Sequence, residues 1–150
     1  MDRLREVFDE AFDTLIAEKQ WVPAPAGTLT VTLQKDSAQY QLNLRPDGGY
    51  LLFICRSDLM VPGEYQAKVL RLLEQLTEEI PGRFLLEGVH VVIRFRHGVE
   101  NFDALPHEIN SVAQSMLSLQ LSVEKIVRLV LRGENPAVAL YLSRDLFSEA

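Results

Sequence analysis

The feature that most constrains the fold is a series of three strand-like runs that follow one another between residues 28 and 55. Residues 28–33 and 39–45 alternate apolar and polar side chains, as half-buried strands do. Residues 50–55 are apolar at nearly every position, which predicts a central strand covered on both faces. The connections between these runs are short, and short connections join antiparallel neighbours, so the sequence predicts an antiparallel meander.

Helical patterns and a second pair of strands flank this meander. Apolar residues at helical spacing predict helices over residues 2–20 and 62–80. The prolines and the glycine of residues 22–27 predict an extended connector. Residues 83–87 and 89–96 predict a hairpin. The chain is therefore predicted to be one α+β domain over its whole length, with a five-stranded, mainly antiparallel sheet packed with helices.

A third helical pattern, over residues 106–132, is long and apolar on more than one side. A straight helix of this length measures about 40 Å, whereas a sphere matching the expected radius of gyration is only about 38 Å across. The helix must therefore break near residues 120–122 or be covered by another element. Asn135 and Pro136 predict the N-cap and first residue of a last helix over residues 136–147, which would supply that cover. The predicted order is α-βββ-α-ββ-α plus this C-terminal helix.

The charge and the apolar runs narrow the classes of partner and the location. The net charge of −6 repels nucleic-acid phosphate and anionic lipid, so neither nucleic acid nor membrane is expected as a partner. No stretch approaches the roughly 18 apolar residues of a membrane span. The first residues are amphipathic and acidic, unlike a signal peptide. A cytoplasmic location is the expectation that follows.

Residues of the kinds that carry chemistry have ordinary places in the predicted elements. The sequence has no nucleophile elbow, phosphate-binding loop, dinucleotide fingerprint or paired-cysteine motif. His90, His97 and His107 lack partners at metal-ligand spacing, and the single cysteine, Cys55, lies in an apolar run as a small buried residue would. We therefore expect no catalytic residues, no metal and no cofactor, and a protein that is not an enzyme.

Two groups of residues are candidates for partner binding. Arg83, Arg94 and Arg96, with His97 close by, form a basic strip that is either an exposed sheet face or a docking site for an acidic segment of a partner. The second group is apolar: these residues either fill the core or form an oligomer interface or peptide-binding groove. The predicted apolar partner-binding residues are Leu4, Phe8, Phe12, Trp21, Leu117 and Leu121.

The order of elements, with the runs at residues 49–54 and 82–95 and the amphipathic third helix, resembles the type III secretion chaperone-like fold and, within it, the YbjN-like group. The resemblance covers residues 2–132 and lies in a pattern of elements. It implies a small acidic homodimer without enzymatic activity that binds a client segment along the first helix and the sheet edges. YbjN-like proteins are associated with regulation, and small proteins of this type also occur in cyanobacteria. The last helix departs from the secretion chaperones.

Three functions are compatible with these observations. The first is a dimeric chaperone-like, regulatory or scaffold protein that binds a segment of a partner protein. The second is a small-molecule sensor with a pocket between the first helix and the sheet, lined by Tyr40, Tyr50 or His90. The third is nucleic-acid binding through the three arginines, which predicts salt-dependent affinity. We expect the first of these.

Overall fold

The computed structural model describes residues 2–18, 21–35 and 38–143, which form an α+β fold. The helices of this part of the chain are α1 (Asp2–Ala17), α2 (Gln66–Glu79), α3 (Leu105–Leu131) and α4 (Pro136–Leu142). Its strands are β1 (Val22–Ala24), β2 (Thr28–Lys35), β3 (Ala38–Asp47), β4 (Tyr50–Met60), β5 (Arg83–Glu87) and β6 (His90–Gly98). Single 3-10 turns occupy Pro25–Gly27, Gly63–Tyr65 and Phe102–Ala104.

The strands form one antiparallel sheet in the order β1-β2-β3-β4-β6-β5. The predicted number of five strands is therefore wrong, because part of the predicted connector pairs with β2 as the short edge strand β1. Pro23 is tolerated there because an edge strand has one side free of ladder hydrogen bonds. The chain reaches the far edge through α2 and returns by the β5–β6 hairpin, whose two-residue loop uses Gly88 at a φ of 65°, in the left-handed region.

All four helices of the described residues cover the same face of the sheet. Alternate strand residues point into this core, and the register sets Leu44 beside Phe53 and Cys55 beside Ile93. These residues belong to a single hydrophobic cluster with the buried side chains of all four helices. Residues on the other side of each strand point away from the helices, and we call that side of the sheet the open face.

The open face buries apolar residues without a helix above it. Leu52 and Val92 are only 5% and 1% exposed, yet neither belongs to the core cluster. The strand at residues 50–55 was predicted to be covered on both faces. Leu52 is buried on the open face, as predicted, but no described helix packs there. Arg56 lies directly opposite Val92, and the aliphatic stem of such a long side chain can shield apolar surface.

The long third helix runs without a break over its 27 residues. Of the two predicted outcomes, cover by another element is the one observed, since α4 packs on α2 and α3 and buries Ala139 and Leu140. Asn135 is the predicted N-cap: its Oδ1 accepts a hydrogen bond from the backbone N–H of Ala137 at 2.9 Å. This helix ends at Leu142, and the rest of its predicted range from residue 144 lies outside the described residues.

A matched pair of leucine substitutions tests this arrangement of the core. Leu117 on α3 is 6% exposed and Leu70 on α2 is 43% exposed. We expect Leu117→Ala to lower the free energy of unfolding by about 2–5 kcal/mol, because a buried leucine leaves a cavity. Leu70→Ala should lower it by less than about 1 kcal/mol. Urea denaturation of both variants measures the difference, and equal losses would contradict the assignment of Leu117 to the core.

Candidate functional site

The open face carries five outward-pointing arginines. They lie on four neighbouring strands, which are β3, β4, β6 and the edge strand β5. These residues are Arg45, Arg56, Arg83, Arg94 and Arg96. Four are exposed, and Arg94 is half-buried. The predicted basic strip of Arg83, Arg94 and Arg96 is thus part of a larger basic surface that extends onto the meander.

The strand register explains how these arginines come together. Arg83 pairs directly with Arg94 across β5 and β6. Arg96 pairs with Leu52, and Leu52 pairs on its other side with Arg45, so that leucine lies between two arginines. Neighbouring strands lie about 4.8 Å apart, and alternate residues of one strand about 6.6 Å apart. The guanidinium groups therefore surround a small area of the sheet from several directions.

Gly82 allows β5 to begin beside Arg94. Its φ of 119° lies in a region that residues with a side chain rarely adopt, and a Cβ there would be 3.3 Å from the carbonyl oxygen of Arg94. The chain can therefore pass close to the β6 backbone just before β5 starts. This passage places Arg83 opposite Arg94.

Four of the five arginines line one depression of about 600 Å³ in the open face. We call this depression, with Arg45, Arg83, Arg94 and Arg96, the arginine pocket. Leu52 and Pro81 contribute apolar surface to it, and Asp47 is the one carboxylate among its lining residues. Arg56 lies outside it, opposite Val92.

Asp47 neutralises only one of these arginines. Its Oδ2 lies 3.1 Å from the Nε of Arg96, whose guanidinium carbon also lies 4.4 Å from the centre of the Tyr50 ring. No carboxylate of the described residues comes within 4.0 Å of a charged nitrogen of Arg45, Arg56, Arg83 or Arg94. Arg96 is therefore held in place, while the other arginines keep their charge available for a ligand.

This arrangement carries an energetic cost within the isolated chain. Like charges directly opposite each other on adjacent strands destabilise a sheet, and Arg83 and Arg94 are such a pair. Local rules of this kind are most often broken at functional sites. The pairing therefore favours a binding role for these arginines over a role in folding.

Apart from Asp47, the acidic residues of the described part of the chain lie outside the arginine pocket. Those of α1 are exposed on the helical side, away from the open face: Glu6, Asp9, Glu10 and Asp13. On the open face itself, Glu87 pairs with His90 at the end of the hairpin far from the arginine pocket. Although the net charge of the chain is −6, its charges are unevenly distributed: the helical side is acidic and the open face of the sheet is basic.

The predicted apolar partner-binding residues are found mainly in the core. Phe8, Phe12, Trp21 and Leu117 are between 2% and 7% exposed, and Leu121 is half-buried. The Trp21 indole Nε1 donates a hydrogen bond to Asn110 Oδ1 at 2.9 Å. A partner surface on these four buried residues is not available while the chain is folded, because α1 and α3 pack them against the sheet.

Leu4 borders an open groove and is less buried than the four core residues. It is half-buried and lines a groove of about 840 Å³ between α1 and the start of α3, together with Val7 and Phe102. Phe102 is 49% exposed at the edge of this groove. The groove has both acidic and basic residues on its rim, Glu10, Asp103 and Arg3, so its charge favours no single kind of partner.

The polar groups suggested for a small-molecule pocket do not meet. Tyr40 points into the core, whereas Tyr50 and His90 lie on the open face. Tyr40 is 1% exposed, and its hydroxyl donates a hydrogen bond of 2.6 Å to Glu124 Oε2. A pocket that combines these three side chains between α1 and the sheet is therefore absent from the described residues.

Glu124 forms a buried polar link that the sequence analysis missed. Its carboxylate is 2% exposed and accepts hydrogen bonds from the hydroxyls of Tyr40 and Ser57, with Arg128 Nη2 at 3.9 Å. Burial raises the pKa of Tyr40 above its usual value, and the hydrogen bond to Glu124 and its charge raise it further. The available signal was a glutamate within the apolar stripe of α3. Because Tyr40, Ser57 and Glu124 are all buried, the link anchors α3 to β3 and β4.

Cys55 is buried, as expected for a small apolar residue in a central strand. Burial, with a smaller contribution from the charge of Glu124, raises the pKa of the Cys55 thiol to about 12. The thiolate form that reacts as a nucleophile is therefore scarce at neutral pH. The part of the chain that the structure describes also has no group of three His, Cys, Asp or Glu side chains placed to hold a metal.

His97 and Glu108 form a second missed interaction, between the end of β6 and the first turn of α3. His97 Nε2 lies 2.6 Å from Glu108 Oε2, and the backbone N–H groups of Glu100 and Asn101 donate to the same carboxylate. Burial alone would raise the pKa of Glu108. The two backbone hydrogen bonds and His97 outweigh it and hold the pKa below its usual value.

Comparisons of the chain with protein-family models, with curated proteins and with solved structures found no match. Among the described residues, no helix has the length and apolar character needed to cross a membrane.

The geometry of Glu108 predicts a specific dependence of stability on pH. A carboxyl group whose pKa is lowered by folding stabilises the protein above its unfolded-state pKa, and this contribution is lost as the pH falls through its folded-state pKa. We expect Glu108→Gln to lower the free energy of unfolding at neutral pH by about 1–3 kcal/mol. The difference in free energy of unfolding between this variant and the unsubstituted protein should shrink as the pH falls below 4.5, the usual pKa of a glutamate side chain.

Urea denaturation at a series of pH values measures this gap. The matched control is Glu79→Gln, since Glu79 is exposed on α2, and it should change little at any pH. A gap for Glu108→Gln that stays constant down to acid pH would contradict the assigned role of its charge.

Proposed function

We propose that this chain is a non-enzymatic binding module that docks an acidic segment of a partner protein on the open face of its sheet. The observation that carries the proposal is the group of five arginines on that face, four of which have no carboxylate of the described residues within 4.0 Å, in a chain whose net charge is −6. Complementary charge steers such partners into place and selects against others. The acidic helical side would repel the same segment, which favours a single orientation of docking.

The open face also matches the chemistry of a protein segment. Arginines alternate there with apolar residues, so that Leu52 lies between Arg45 and Arg96, and Ile54 lies opposite Arg94. A segment with both acidic and apolar side chains can pair with both kinds of surface. Six strands spaced about 4.8 Å apart span about 24 Å, which an extended segment of about eight residues crosses.

Nucleic acid is disfavoured by the aromatic content of the face. Proteins that bind single-stranded nucleic acid on a sheet stack the bases on exposed aromatic side chains. Tyr50, at the start of β4, is an exposed aromatic residue of the open face, and Arg96 already lies over its ring. The overall negative charge adds long-range repulsion of a phosphate backbone.

The chaperone-like role and the homodimer remain predictions from the resemblance of the element order. The docking surface proposed here is compatible with that role, since a chaperone of this kind binds an extended client segment. It differs in location, because the binding surface is the open face of the sheet and not the first helix.

A charge-reversal pair tests the proposal. The probe is a labelled peptide of about eight residues in which glutamate and valine alternate, long enough to cross the face. We expect Arg94→Glu to weaken its binding at least about tenfold, equivalent to about 1.4 kcal/mol. The control Arg71→Glu makes the same charge change at an exposed position of α2 and should leave affinity nearly unchanged. Fluorescence anisotropy at low and moderate salt measures both, with circular dichroism to check folding.

Three results would count against the proposal. One is equal loss of binding in both variants, which would indicate a response to net charge alone. Another is affinity that does not fall with added salt, since exposed charge pairs are screened. The third is tighter binding of a single-stranded RNA of similar length, which would support the nucleic-acid interpretation instead.

A further inference from the structure

We infer that the arginine pocket is a subsite for a phosphorylated serine or threonine within the docked acidic segment. This inference rests on the proposed function, because the segment brings the phosphate to the open face. The pocket differs from the rest of that face because its guanidinium groups are closely spaced, come from three different strands and share a partly apolar lining.

The charge of the pocket exceeds what a single carboxylate side chain can balance. Four guanidinium groups and the carboxylate of Asp47 give the lining a net formal charge of +3. A glutamate or aspartate carries one negative charge, whereas a phosphorylated hydroxyl carries about −1.5 to −2 at neutral pH and presents three acceptor oxygens. A phosphorylated side chain therefore matches the charge more closely than an acidic one.

The directions from which the arginines approach also favour phosphate. Arg45 is on β3, Arg94 and Arg96 are on β6, and Arg83 is on β5. A carboxylate has two oxygens in one plane and is satisfied by one bidentate guanidinium. The three free oxygens of a phosphate monoester point in different directions and can accept hydrogen bonds from arginines on separate strands.

Two features reduce the cost of binding at this point. Asp47 and the Tyr50 ring hold Arg96 in place, so less side-chain freedom is lost when a ligand arrives. Arg94 is half-buried in this partly apolar lining, so water has less access to its side chain than to the exposed Arg45 and Arg83. A charge-assisted hydrogen bond is stronger in such partly dehydrated surroundings than in bulk water.

Arg56 provides a matched control on the same face. It is exposed, points in the same direction as the pocket arginines and pairs with Val92, but it does not line the pocket. Its substitution removes one positive charge from the open face without altering the pocket. The preference for phosphate should therefore survive substitution of Arg56 and be lost on substitution of Arg83 and Arg94.

The test compares three peptides of one sequence that differ at a central position, which is serine, glutamate or phosphoserine. The other positions alternate glutamate and valine. We expect the full chain to bind the phosphoserine peptide at least about tenfold more tightly than the glutamate peptide. Arg83→Gln with Arg94→Gln should reduce that preference to less than about twofold, whereas Arg56→Gln should keep it. Isothermal titration calorimetry measures all three affinities.

A second variant keeps the test decisive if the double glutamine variant does not fold. Arg83→Lys with Arg94→Lys keeps both charges and removes the planar guanidinium groups that bind phosphate oxygens in pairs. It should retain binding of the glutamate peptide and lose most of the preference for phosphoserine. Thermal unfolding of each variant confirms that the fold is intact.

The outcomes separate this inference from the proposed function. Equal affinities for the glutamate and phosphoserine peptides would overturn the inference and leave the docking of acidic segments standing. A preference for phosphoserine that persists without Arg83 and Arg94 would show that the phosphate binds elsewhere and would overturn it too. Failure of all three peptides to bind would overturn the proposed function and, with it, the inference.

Discussion

The covering of only one face of the sheet by helices is the constraint on which the rest of this structure depends. Successive side chains of a strand point to opposite faces, so each strand divides its residues between a helix-covered core and the open face. Leu44, Phe53 and Ile93 fix the register on the core side because they are fully buried. That register in turn sets which residues are neighbours on the other side, including Arg83 and Arg94. The basic surface is thus positioned by core packing on the opposite face.

Polar anchors hold the long third helix across this sheet. Glu124 is bonded to Tyr40 on β3 and Ser57 on β4, and Gln120 Nε2 donates to the carbonyl oxygen of Val91 on β6 at 3.2 Å. At the other end of the helix, Glu108 accepts from His97 and from two backbone N–H groups. Buried polar groups must find partners, so these contacts restrict how the helix can lie. A helix held in this way keeps the sheet beneath it, and the arginines on its far side, in one geometry.

Local pattern was enough to predict most elements but not their pairing. Alternation and turn residues predicted strands at residues 28–33, 39–45 and 83–87, which lie within β2, β3 and β5, and Asn135 acts as the predicted cap. The edge strand β1 was missed because three residues with a central proline carry almost no strand signal, and its existence depends on pairing with β2. The contacts of Glu124 and His97 were missed for a related reason. Each joins residues far apart in sequence, which spacing along one element cannot reveal.

By itself, the sequence determined the fold class, the order of the main elements and the presence of a basic strip at Arg83, Arg94 and Arg96. Periodicity of side chains carries that information locally. Only the tertiary structure decided which apolar residues are core and which face is open. Phe8 and Trp21 were expected at a partner surface and are buried, because the free side of a helix depends on what packs against it. Arg45 lies beside the predicted basic strip because β4 pairs with both β3 and β6. Sequence alone does not show this, since β6 is a distant segment of the chain.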